Sequence, residues 1–176
     1  MTYWSFEDDN LKTVSDALHI AEDKTGDFYK FSFSQWKRHR YDVKTQSSLS
    51  NDEITTYAFA LLNKCSMPDE GIEKKKSGRD FYMICLQDHQ ILQALKRDSS
   101  LNLLPLLVYI FTHELIHIVR FCNFYQRFDI SGKGKESEER VVHETTYKVL
   151  KELSLPRLDY ILESYQSHRI CDFIIQ

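Results

Sequence analysis

Apolar residues recur at helical spacing through Leu11, Val14, Leu18 and Ala21, which predicts an amphipathic helix over residues 7–23. Residues 28–34 alternate instead, with Tyr29, Phe31 and Phe33 on one side, the pattern of a strand. Ser50 and Glu53 have capping-box spacing and predict a second helix with Ile54, Ala58, Leu61 and Leu62 as its apolar positions. Pro68, Gly71, Gly78 and the run Lys74, Lys75, Lys76 mark a polar loop over 66–79. Residues 81–86 read as a buried strand, and Asp88 as the cap of a short helix through Leu95. From 103 to about 128 nearly every position is apolar. Pro105 suits the first turn of that helix, where an N–H has no intrahelical partner to lose. Gly132 and Gly134 break it; further helices are expected over 136–153 and from Pro156 towards Cys171. The expectation is one domain over 1–176, α+β and predominantly helical, with a small sheet.

Composition narrows the class. With 42% hydrophobic residues the chain is not intrinsically disordered, and 5 Gly and 3 Pro are too few for a turn-rich β-sandwich. A net charge of −3 argues against a constitutive nucleic-acid binder. Cys65, Cys85, Cys122 and Cys171 form no CxxC pair, which excludes a zinc ribbon or a thioredoxin-type motif. Glu7, Asp8 and Asp9 occupy the start, where a secretory signal would carry basic residues and then an apolar run. A reducing cytoplasm is the expected compartment. Thr112, His113, Glu114, His117 and Arg120 interrupt the long apolar helix, so a buried core helix is expected there and no membrane span.

Those interruptions carry the chemistry. His113-Glu114-Leu115-Ile116-His117 is an H-E-x-x-H motif, which arises by chance roughly 0.02 times in a chain of this composition. Two imidazoles four residues apart project from one helix face on consecutive turns and can grip one ion. Zinc accepts neutral imidazole nitrogens and keeps a position open for water. Glu114, beside that face, is the expected general base for a metal-bound water. Burying this set uncompensated would cost several kcal/mol, which a bound cation relieves. Without metal, the histidines would bond to carbonyls and Glu114 would pair with Arg120.

A third ligand has to come from another element. On the next helix the stripe Val142, Thr146, Val149 and Leu153 faces the core, with Glu139 and His143 near it, Glu138 on the opposite flank and Glu144 outward. If the motif helix runs on for 11 residues past His117, it climbs roughly 16 Å, and the return favours His143. Ligand chemistry favours Glu139, since two His and one Glu form a common catalytic set. One of the two is then the ligand and the other its supporting partner.

On these residues the chain resembles the zincin metallopeptidases of the gluzincin branch. The resemblance implies His113 and His117 as ligands, Glu114 as base and Glu139 on a following helix as third ligand. The metzincin pattern fails, with Arg120 at its Gly position and Asn123 at its last His. His143, four residues after Glu139, departs from the acid usual there. The group that would stabilise an oxyanion is left open between Tyr147, His89 and His168. By the same resemblance a sheet-edge strand would hold the substrate, with 81–86 as its candidate. The stretches SQWKRHRYDVKT, YMICLQDHQIL and THELIHIVRF are similar to segments of small uncharacterised bacterial proteins, a likeness that brings no activity with it.

The leading expectation is a zinc-dependent hydrolase, a peptidase acting on a peptide or protein, with one Zn2+ per chain. A second is a di-iron carboxylate helical bundle, because Glu114 and His117 also form the i, i+3 pair of such sites. A third is a non-catalytic zincin-like metal-binding protein acting through a partner. Its contact surface would be residues 36–44, where Trp36 and Tyr41 stand among Lys37, Arg38, His39, Arg40 and Lys44. His168 is a candidate for a side chain that blocks the metal.

Overall fold

A computed structural model describes residues 3–66, 80–123, 126–165 and 171–174. The expected Lys74–Lys76 loop and His168 lie outside them. The elements, in chain order, are α1 (Asp8–Tyr29), α2 (Phe33–Trp36), β1 (Tyr41–Lys44), β2 (Ala60–Ser66), β3 (Asp80–Leu86), α3 (Asp88–Arg97), α4 (Leu103–Cys122), α5 (Lys133–Leu150), α6 (Leu158–Tyr165) and β4 (Cys171–Ile174). The class is α+β, predominantly helical with a small sheet, as expected.

α4 is the organising element. It is long and apolar enough to cross a membrane by length and composition, yet from Pro105 to Val119 every residue is buried. α1, α5 and α6 pack around it, and the sheet also touches it. The side of α1 facing the core is made of Val14, Ala17, Ala21, Thr25 and Gly26, small residues that let two helix axes approach closely.

The four strands lie in the order β1-β3-β2-β4, with β1 parallel to β3, β2 antiparallel to β3 and β4 parallel to β2. Tyr82, Ile84 and Leu86 pair with Lys64, Leu62 and Ala60, and this side of the two central strands joins the main core. On the other side Cys85 and Leu61 are also buried, and the Lys44–Glu53 ion pair lies beside Cys85. Because β3 is central, it has no free edge. The expectation that residues 81–86 offer an edge to a substrate is therefore overturned; β1 and β4 are the outer strands.

Two predicted elements take other forms. Residues 28–34 are not a strand, because α1 continues to Tyr29 and closes on Lys30 in the left-handed conformation, with φ 55°. Phe31 N then donates to Gly26 O at 2.8 Å, a helix-ending turn that lets Phe31, Trp36 and His39 gather as a ring cluster. The Ser50–Glu53 capping box exists, but it closes a single 3-10 turn over Asn51–Glu53. Glu53 is also held by Lys44, and the apolar run from Ala60 goes into the sheet, where both faces are covered.

Gly26 has a packing reason to lack a side chain. A Cβ there would come within 2.7 Å of Trp36 Nε1. Alanine improves helix propensity by about 1 kcal/mol, but overpacking against a rigid indole costs about 1–3 kcal/mol. Gly26→Ala is expected to lower the melting temperature in a calorimetric scan. A rise would mean the indole does not sit against α1.

Candidate metal centre

Four rings stand one turn apart along α4: Tyr109, His113, His117 and Phe121. Their successive centroids are 6.4, 4.9 and 5.6 Å apart. Opposite them α5 runs antiparallel, so Arg120 meets Glu138, His117 and His113 meet Glu139, and Tyr109 meets His143. Both H-E-x-x-H imidazoles are fully buried, and they are turned towards each other.

The donor atoms converge. His113 Nε2 and His117 Nε2 are 3.2 Å apart, and Glu139 places one oxygen 3.1 Å from the second and the other 3.3 Å from the first. A tetrahedral ion bonded at 2.0–2.1 Å separates its ligand atoms by about 3.3–3.4 Å, close to the imidazole–imidazole and imidazole–carboxylate distances here, with each imidazole facing its own oxygen of Glu139. Neither Glu139 oxygen accepts a hydrogen bond among the described residues, although its side chain is only 15% exposed. A carboxylate so placed is stable only next to positive charge.

Electrostatics agree. Glu114 and Glu138 are each 1% exposed, and with Glu139 they surround His117. Burial disfavours charge on that imidazole, but Glu139, Glu138 and Glu114 outweigh it and raise its pKa to about 10. Glu139 is likewise opposed by burial, yet His117 and His113 hold it well below the usual carboxylate range. A proton on His117 and a cation among the donors answer the same demand for positive charge.

Several expectations meet their outcome here. Both Glu139 and His143 reach the cluster, and Glu139 is the closer. His143 Nε2 is 3.9 Å from Glu139 Oε2. The reason is that α4 stops at Cys122, about 7.5 Å of axis beyond His117, and Glu139 lies about 9 Å into α5. A helix running to 128 would have carried the return too far. Glu138 does not lie on an opposite flank: it accepts two hydrogen bonds from Arg120, at 2.7 and 2.9 Å. The guanidinium that a metal-free reading would give to Glu114 is thus bonded to Glu138. Glu144 is exposed, as expected.

Of the oxyanion candidates, His89 is committed elsewhere, to Gln46 Oε1 at 2.9 Å and Thr55 O at 3.0 Å. Tyr147 is 40% exposed, and His168 is outside the described residues. In the 36–44 segment, His39 is buried against Phe31 and Lys44 is paired with Glu53. Two of its five cations thus serve internal contacts. The H-E-x-x-H motif alone does not point to Tyr109 or Phe121, although their four-residue spacing from the histidines is a signal within the sequence.

No protein-family model, curated protein or solved structure matches this chain. The chemistry of the centre rests on its own geometry.

Proposed function

We propose that the chain is a zinc-dependent hydrolase with a zincin-like, gluzincin-type arrangement, cleaving peptide bonds in a peptide or protein. His113, His117 and Glu139 would hold one Zn2+, and Glu114 would act as general base. The observation that carries this is two buried imidazole Nε2 atoms 3.2 Å apart, each within 3.1–3.3 Å of one oxygen of the Glu139 carboxylate, drawn from two helices. An active helix with a sheet beside it and a glutamate on the following helix supports the architectural part.

Zinc bound here would supply a Lewis acid that acidifies water and polarises a carbonyl. Glu114 follows His113 on α4, is buried, and lies near enough to His117 to raise its proton affinity. That position suits a carboxylate that takes a proton from the attacking water and returns it to the departing amine. Glu138, 3.7 Å from His117 Nδ1, lies behind that ring and favours positive charge on it. Burial opposes charge on Glu138, but His117 and Arg120 hold its pKa below the usual carboxylate value. Glu139 and His143 form the more exposed rim of the cluster, so substrate would approach across them.

The di-iron alternative has thinner support, because the described cluster draws on two helices and one of its carboxylates is occupied by Arg120. Elemental analysis tests the choice. Protein purified with zinc present is expected to hold one zinc per chain, and Glu139→Gln less than a tenth of that. Metal-free wild-type protein, or two irons per chain, would overturn the zinc assignment.

A further inference from the structure

His143 is buried at 8% exposure and is the fourth candidate donor at the cluster. Its ring centroid is 4.6 Å from that of His113, and the ligating atoms of His113, Glu139 and His143 all lie within 4.8 Å of one another. Glu139 sits four residues earlier on the same helix, so α5 presents both side chains to the same place. Tyr109 then fixes the ring. Its hydroxyl is 2.9 Å from His143 Nδ1, and Tyr109 is itself buried. In the tautomer whose Nδ1 proton is donated to Tyr109, Nε2 turns its lone pair towards Glu139. Orientation of a ligating imidazole through its second nitrogen is how such rings are usually prepared for a metal.

We propose that His143 is a displaceable fourth ligand that closes the metal site in the resting protein. This rests on the zinc reading and adds regulation of the same site. His113, His117 and the Glu139 carboxylate lie within 3.1–3.3 Å contacts of one another, while His143 stands back, 3.9 Å from Glu139 Oε2. A ligand of the same tetrahedral ion would stand about 3.3–3.4 Å from that oxygen, so the ring has to move inwards to bind. A site with four protein ligands is closed, and one with three keeps a position for water. Exchange between these states places the switch in one side chain. Substrate has to compete with His143 for the last position, and once displaced the ring stays beside it, tethered to Tyr109.

Cobalt(II) added to metal-free protein reports this through its visible absorption, with no need for turnover. In wild-type protein the expected result is the intense spectrum of a four-coordinate ion that millimolar azide leaves unchanged. His143→Ala is expected to bind cobalt about tenfold to a hundredfold more weakly, and its spectrum should shift on adding azide. Tyr109→Phe, which keeps His143 but removes the hydroxyl, should respond to azide at intermediate concentrations. A wild-type spectrum that azide shifts as readily as in His143→Ala overturns the proposal, and that comparison holds even if Tyr109→Phe folds poorly. If His143→Ala does not fold, a wild-type spectrum that azide shifts at low concentration overturns it alone. Wild-type protein that takes up no cobalt removes the zinc reading itself, and this proposal with it.

Discussion

Glu114→Gln is expected to reduce peptide hydrolysis by about 10²–10⁴-fold while leaving one zinc per chain. The amide is nearly isosteric, so the buried volume at this position is kept, and Glu114 is not among the three closest donors. What is lost is a base that can accept a proton. The check pairs a fluorogenic peptide library with elemental analysis of the same preparation. Undiminished turnover in the variant would remove Glu114 from the mechanism. Loss of both turnover and metal would show that its carboxylate holds the site together rather than moving a proton.

Arg120→Ala should produce the largest loss of stability. Glu138 is 1% exposed and receives two short hydrogen bonds from the guanidinium, whose side chain is 19% exposed. Removing the guanidinium takes both hydrogen bonds from a carboxylate in the interior and leaves it only the 3.7 Å approach of His117. Breaking a buried pair from one side costs about 3–5 kcal/mol, more than the pair contributes when it is intact. For a chain of this size that corresponds to a fall in melting temperature of roughly 6–20 °C. Arg120→Met with Glu138→Leu, which removes both charges, should recover much of the loss. A double variant as unstable as the single one would mean the pair acts through packing alone.

The motif helix and its partner are legible in the sequence because their signals are local. H-E-x-x-H fixes a face, an apolar run fixes burial, and Gly132 marks the break before α5. The end of α4 is not legible: residues past Cys122 continue an apolar pattern that propensity cannot distinguish from more helix. That difference of six residues is what leaves Glu139 and His143 unresolved in the sequence, since each residue moves the return by about 1.5 Å. Glu138 is misplaced by the sequence pattern for a related reason. Its side chain is set by Arg120 on another element, and a helical wheel of α5 contains no information about that. The Ser50 capping box is legible as chemistry but not as length. Whether the residues after it coil or extend depends on β3, which lies beyond them in the chain and offers β2 a fully paired place.

The small side chains along α1 have a mechanical consequence. Ala17 and Ala21 leave little between the backbone of α1 and the apolar side of α4, and a seam that tight has little room to slide or part. The stiff wall behind the histidines therefore cannot be the door. On the proposed hydrolase reading, substrate would enter instead across the seam where the longer charged side chains of α5 meet α4.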